Sequence, residues 1–183
     1  MSENTKEYYP NNVLHFCPHC GAGSLDSIGI REFFCQICQF PFFMNVASAA
    51  AALILNEQNQ LLLTRRNRNP MKGMLDLPGG FIEPFETAEE ALKREIQEEL
   101  NLRIVSMEYF TNLPNEYTYK GMTYFTLDFA FICKVESTDN LVLDDENSEV
   151  VWVDPQLIHI DKIGLCSIKK IVEEFVKKSS KNQ

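Results

Sequence analysis

The sequence reads as an α/β (α+β) chain, with strands and amphipathic helices in one main domain behind a small cysteine-rich unit. Three observations carry this reading. Thr87 to Leu100 holds no Gly or Pro, and at about 100° per residue Ala88, Ala91, Leu92, Ile96 and Leu100 form one apolar stripe. Ser167 to Lys178 repeats helical spacing with Ile168, Ile171, Val172, Phe175 and Val176. Between the two helices, Met122 to Val135 alternates aromatic and β-branched residues with the period of a strand.

The 183 residues, 45% of them hydrophobic, suffice for one good core and a small appendage. A net charge of −9 argues against a broad nucleic-acid footprint. It would also repel a phosphorylated substrate unless a metal and a few local basic groups bridged the two. The longest apolar run, Val46 to Leu55 broken only by Ser48, is too short to span a bilayer. The N-terminal MSENTKEYYPNN lacks the apolar segment of a signal peptide. The expectation is a cytoplasmic protein with no membrane or nucleic-acid partner.

Residues 1–12 read as a flexible tail, 13–43 as a zinc ribbon and 44–183 as the main domain. Cys17-Pro-His-Cys20 and Cys35-Gln-Ile-Cys38 each supply two thiolates to one tetrahedral Zn²⁺. A redox CxxC or two disulfides are the alternatives, and the missing secretion signal weighs against them. Four protein ligands leave the ion no open position, so its role is structural. His15 and His19 are then exposed, and Cys133 and Cys166 are packing residues.

Val46 to Leu55 is ambiguous: its alanines favour helix, while its length and the Asn56–Asn59 turn before Leu61-Leu62-Leu63 favour a hairpin. Arg65, Arg66, Arg68 and Lys72 follow, either on a solvated loop or contacting phosphate. Arg103 to Phe110 reads as a strand and Asn112 to Asn115 as a loop. Glu116–Tyr119, Lys120-Gly121 and the run from Met122 read as a hairpin. Tyr117, Tyr119, Tyr124 and Phe125 suit either cross-strand pairing or stacking on a purine. Asp144 to Glu149 is an acidic loop ahead of the strand Val150–Val153.

The helix over 87–100 has a capping box, Thr87 with Glu90. Its last carboxylates, Glu95, Glu98 and Glu99, share a face that overlaps the apolar stripe. Like charges beside a core cost free energy unless a cation compensates them. Oxygen-only ligands suit Mg²⁺ or Mn²⁺; the alternative is a solvated acidic patch.

Gly80, Glu86 and Arg94-Glu95-Ile96-Gln97-Glu98-Glu99 decide between the two. Their spacing resembles the Nudix box, G-x5-E-x7-R-E-U-x-E-E-x-G-U. Asn101 replaces the last glycine and Leu102 fills the final aliphatic position; Asn also tolerates a left-handed helix C-cap. Phe85 stands where many members carry a further glycine, which bears on substrate fit.

The resemblance covers about Asn45 to Lys178 and implies a fold with a mixed sheet sandwiched between helices, which makes Val46 to Leu55 a strand. It implies hydrolysis of a nucleoside diphosphate linked to another moiety, with water attacking phosphorus. Glu95, Glu98, Glu99 and the Gly79 carbonyl would hold Mg²⁺ or Mn²⁺, with one carboxylate able to act as general base. Arg94 would orient a neighbouring Glu, Glu86 would support the loop, and Glu146 or Glu149 would add a ligand or the base. Arg65, Arg66 and Tyr117 are the candidates for binding the nucleotide.

A zinc ribbon ahead of such a domain resembles the NADH pyrophosphatase branch. The SQPWPFP-type stretch of that branch does not occur after Leu102. The expected substrate is therefore ADP-ribose or a similar nucleotide sugar, with dinucleotides second and an RNA cap as a further alternative. A homodimer is expected by the same resemblance. The reading from another class is a non-catalytic nucleotide-sensing module; the full set of box carboxylates and the lack of a basic DNA-binding domain disfavour it.

Overall fold

The structure, a computed structural model, describes residues 3–180. The chain divides into two compact units. One holds the chain up to Val46 together with Glu116–Phe125; the other holds Ala47–Asn115 and the chain from Thr126 onward.

In the first unit, Glu3–Tyr8 form a 3-10 turn and Pro10–Val13 a short helix, α1. The segment that reads as a flexible tail thus carries local structure from Glu3, and its first two residues lie outside the described ones. Pro10 is buried, Tyr9 donates its hydroxyl to Glu116 at 2.9 Å, and the Tyr9 ring meets Phe125 edge-on at 5.3 Å. Strands β1 (Leu25–Ser27), β2 (Glu32–Cys35) and β3 (Pro41–Phe43) form an antiparallel sheet in that order. Its core is small: Cys17, Leu25, Phe33 and Cys35 are buried, with Phe40 and Phe42 packed against them. A core of that size does not sustain a fold without a further link.

The second unit contains β4 (Ala47–Ile54), β5 (Leu61–Arg66), β6 (Leu75–Asp76), β7 (Gly79–Phe81) and α2 (Ala88–Leu100). The strands β8 (Ile104–Tyr119) and β9 (Met122–Val135) leave and re-enter it, and β10 (Asn147–Val153) and α3 (Cys166–Ser179) complete it. Two sheets result, ordered β7-β4-β9-β8 and β10-β5-β6. The first is mixed: β4 runs parallel to β9, from Ala47↔Thr126 to Ile54↔Cys133, and antiparallel to β7.

Helices cover both faces, and β4 shows why its sequence looked ambiguous. Ala51 and Leu53 face the core under α3, with Ile168, Ile171, Val172 and Phe175. Ala50, Ala52 and Ile54 face the core under α2, with Leu92, Ile96 and Leu100. A strand buried on both sides reads as a continuous apolar run rather than an alternation. Each fully buried Leu or Ile contributes about 1.5–3 kcal/mol by leaving water, so the apolar stripe of α2 anchors the helix and fixes where its carboxylates stand.

Two expectations are corrected. Residues 47–54 and 61–66 are strands but not a hairpin pair: after one bridge, Leu55↔Leu61, they part into different sheets. Asn112 to Asn115 is not a loop but the middle of β8. Pro114 misled the reading; β8 is the edge strand of its sheet, where a missing backbone N–H is tolerated. The turn at Lys120-Gly121 has positive φ at both residues, 48° and 79°, as a two-residue hairpin connection requires.

Before α2, the Glu86 N–H donates to the Glu83 carbonyl at 3.1 Å, with Pro84 second and Phe85 third at φ 75°. The third position of such a turn favours glycine. Phe85 holds it while its ring is fully exposed. Strain of that kind costs on the order of 1–3 kcal/mol, against about 0.4–1 kcal/mol for the extra freedom glycine gains on unfolding. Phe85→Gly is therefore expected to raise unfolding stability by about 1 kcal/mol. A lower urea midpoint in the variant would count against this account of the turn.

Candidate metal and catalytic centre

The helix α2 begins as its sequence dictates. Thr87 Oγ1 accepts from the Glu90 N–H and Glu90 reaches back to the Thr87 N–H, forming the full capping box. It ends at Asn101, with φ 53°. Glu95, Glu98 and Glu99 do share one side, but in three environments. The Glu98 side chain is 60% exposed and that of Glu95 17%, while Glu99 is buried among the core residues.

Arg94 organises the group. Its Nε and Nη2 bind both oxygens of Glu86, at 2.8 and 2.9 Å. Nη1 reaches Glu95 at 2.7 Å and Glu98 at 3.2 Å, and Nη2 also donates to the Phe81 carbonyl at 3.1 Å. All five guanidinium N–H groups are thus used. The bidentate partner is Glu86, while Glu95 is held by one contact. The Arg94 guanidinium, aided by the Glu83 N–H, holds the Glu86 carboxyl down at about 2.

Ahead of the helix Gly79 is a steric necessity, while Gly80 crowds only the end of the Glu95 side chain. A Cβ on Gly79 would overlap the Ala50 carbonyl oxygen, and Gly79 also sits at φ 139°. A Cβ on Gly80 would overlap the Glu95 carboxylate. This close approach lets the Gly79 N–H donate to Glu99 at 2.9 Å.

Burial raises the Glu99 carboxyl to about 8, against the Gly79 N–H and with help from the charges of Glu95, Asp144 and Asp76. Burial likewise raises Glu95, opposed by Arg94 and reinforced by Glu98 and Glu146. A set of carboxylates that resists ionising together is a set short of a cation.

Two members of this electrostatic group are absent from the sequence-based candidates. Asp76 is buried in β6; burial raises its carboxyl, while Arg66 at 2.6 Å opposes that. A lone acid flanked by Leu75 and Leu77 was its signal in the sequence. Asp144 donates its N–H to the Glu99 carbonyl at 3.1 Å, tying the acidic loop to the end of α2.

The remaining candidates are engaged by neighbours. Arg65 pairs with Glu149 at 2.6 Å and donates to the Gly73 carbonyl; Arg66 pairs with Asp76 and donates to the Pro70 carbonyl. Glu146 pairs with Arg68 at 2.6 Å. Tyr117 belongs to the other unit, where its ring stacks on Tyr124 at 5.7 Å.

The second cluster is Cys17, Cys20, Cys35 and Cys38, whose sulfurs lie within 4.8 Å of one another. Cys17 to Cys38 and Cys20 to Cys35 are each 3.7 Å apart. A tetrahedral Zn–S distance of about 2.3 Å implies sulfurs about 3.8 Å apart, so the four fit one ion. The Cys38 N–H, then the Ser24 hydroxyl and the Ile37 N–H, hold the Cys35 thiol down at about 6. His15 and His19 are exposed, and His19 stacks on Phe40. Cys133 is buried in the core under α2, whereas Cys166 is exposed at the start of α3 and does not pack as expected.

Among the described residues, no helix is long and apolar enough to cross a membrane. The chain is 28% identical over 147 residues to the NAD-capped RNA hydrolase NudC of Salmonella schwarzengrund, covering 80% of this chain and 53% of that protein. It is 53% identical over 49 residues to the ADP-ribose pyrophosphatase of Methanocaldococcus jannaschii, covering 27% of this chain and 29% of that one. The chain thus spans about half, or less, of these curated relatives. A NUDIX hydrolase of Nitrosomonas europaea has the same fold, with a TM-score of 0.69 at 23% identity over 93% of this chain and 94% of that one. The NUDIX domain family model matches residues 45–173, and the chain belongs to that family.

Proposed function

We propose that this protein is a divalent-metal-dependent hydrolase of a nucleoside diphosphate linked to another moiety, with ADP-ribose or a similar nucleotide sugar as substrate. The observation that carries the reading is a single helix, α2, that holds Glu95, Glu98 and a buried Glu99, the last accepting from the Gly79 N–H. The donor set is all oxygen and short of positive charge, which suits Mg²⁺ or Mn²⁺. When bound, such an ion neutralises pyrophosphate oxygens and acidifies a coordinated water.

The residues divide the remaining work. Glu95 and Glu99 are held in place, the first by Arg94 and the second by the Gly79 N–H. Glu98, the most exposed of the three, is the carboxylate we assign to take the proton of the attacking water. Glu86 keeps Arg94 aligned through its two-oxygen pairing. No covalent intermediate is needed, since the described residues around α2 offer neither a Cys–His nor a Ser–His pair.

The M. jannaschii match supports an ADP-ribose substrate, as does the lack of an SQPWPFP-type stretch after Leu102. The longer NudC match favours a second reading, a dinucleotide or NAD-capped RNA. A panel of ADP-ribose, NAD, NADH, diadenosine tetraphosphate and NAD-capped RNA with Mg²⁺ separates them. The highest kcat/KM is expected for ADP-ribose; a preference for NADH or capped RNA would overturn that choice.

We also assign the four-cysteine site to structural Zn²⁺ in a ribbon over 13–43, ahead of a hydrolase domain over 44–183. Elemental analysis is expected to give about one zinc per chain, lost in Cys17→Ser. A folded, zinc-free wild type would contradict this. The resemblance supports a homodimer, which light scattering checks at twice the chain mass.

A further inference from the structure

On one face of the mixed sheet, α3 covers Ala51 and Leu53 of β4 and Ala130 of β9. Earlier in the same strands, alternation puts Ala47, Ala49, Thr126 and Asp128 on that face too. Register aligns them with Phe81: Ala49 lies opposite both Phe81 and Asp128, and Ala47 opposite Thr126. Asp128 is spent on the helix, accepting from the Ser167 hydroxyl. Exposure falls along this row. Phe81 is 49% exposed and Ala47 is open, Ala49 is half-buried, and Thr126 is 3% exposed.

Two buried oxygens at the inner end of the row have no partner. Counting from the two-residue turn at Lys120-Gly121, Asn115 of β8 stands opposite Thr126 of β9. Asn115 is 8% exposed, and neither its Oδ1 nor the Thr126 Oγ1 makes a hydrogen bond. Nearer the turn, Thr118 and Thr123 stand opposite in the same way and satisfy each other at 2.9 Å. Buried polar atoms are almost always paired, and an unpaired one costs stability. Here a carbonyl acceptor and a hydroxyl stand side by side, unused.

The outer end of the row joins the acidic centre. The Glu95 carboxylate stands over Gly80, next to Phe81, and Arg94 Nη2 donates to the Phe81 carbonyl. Neighbouring strands lie about 4.8 Å apart, so about 14 Å separates Phe81 on β7 from Asn115 on β8, three strands away. A nucleoside diphosphate covers that span.

We propose that this row is the nucleobase subsite of the hydrolase and that it selects adenine. The 6-amino group donates to Asn115 Oδ1, and the Thr126 hydroxyl donates to the adjacent ring nitrogen. The Phe81 ring supports the apolar side of the nucleoside, over a floor kept low by Ala47 and Ala49. Hypoxanthine presents a carbonyl beside an N–H instead, so it meets the Asn115 oxygen with oxygen and is rejected.

This inference rests on the reading of the protein as a nucleotide hydrolase, and the test keeps the two apart. AMP and IMP are titrated into the zinc-loaded protein by calorimetry without Mg²⁺ or Mn²⁺. Turnover of ADP-ribose and its hypoxanthine analogue is followed with Mg²⁺. Wild type is expected to prefer ADP-ribose by about tenfold or more in kcat/KM. Asn115→Leu should bind AMP about tenfold more weakly, raise KM for ADP-ribose more than it lowers kcat, and lose the preference. Its urea midpoint should not fall, because an unpartnered buried amide gives way to an apolar group of similar size. Thr126→Val should weaken AMP binding several-fold, and Phe81→Ala should weaken AMP and IMP alike, since stacking tolerates any base. AMP binding and base preference unchanged in Asn115→Leu and Thr126→Val overturn the inference alone. A wild type that binds AMP through these residues but cleaves no nucleoside diphosphate derivative overturns the hydrolase reading and leaves the subsite standing.

Discussion

Glu98→Gln is expected to lower kcat on ADP-ribose by about a thousandfold or more, the scale of removing a general base, which is the role we propose for Glu98. The fold should not notice. Glu98 makes one 3.2 Å contact, to Arg94, and its side chain is 60% exposed; an exposed pair of that spacing is worth about 0.3–0.5 kcal/mol. Loss of turnover with an unchanged unfolding midpoint therefore marks a chemical role rather than a structural one. Undiminished turnover would remove Glu98 from the chemistry.

The metal-free protein should lose stability as pH rises from about 5 to 8, and Glu99 is the cause. Its folded carboxyl titrates at about 8, above its ordinary value of 4.5. Between those values the native state holds a proton that the unfolded chain has released, so unfolding becomes easier with each step in pH. The slope approaches about 1.4 kcal/mol per pH unit for one proton. Glu95, raised in the same direction by burial, adds to it. Glu86, held down at about 2, contributes a stability that is already full above about pH 5. Urea unfolding of zinc-loaded protein without Mg²⁺ or Mn²⁺ should show this fall. Adding Mg²⁺ at pH 8 should reverse it, and Glu99→Gln should flatten it. A flat profile in the wild type would contradict the environment assigned to Glu99.

What the sequence made legible was what short-range physics controls. The capping box, the stripe of α2 and the left-handed Asn101 follow from spacing within one turn or two. The four cysteines declare themselves through two CxxC pairs, and the structure brings their sulfurs together. Long-range partners were out of reach. Nothing local says that Leu61 leaves the strand before it for another sheet, or that Arg66 is spent on Asp76. Likewise, the pairing of Arg65 and Arg68 with Glu149 and Glu146 joins residues some eighty positions apart. Pro114 suggested a loop because its tolerance on an edge strand depends on which strands lie beside it.

The most direct test of a metal-dependent pyrophosphate hydrolase is to run ADP-ribose with the zinc-loaded protein and Mg²⁺ in ¹⁸O-labelled water. The expected result is AMP and ribose 5-phosphate in equal amounts, with the labelled oxygen on the phosphate of one product and no cleavage when Mg²⁺ is withheld. Cleavage that proceeds equally well without Mg²⁺ or Mn²⁺, or label found on carbon rather than phosphorus, would contradict it.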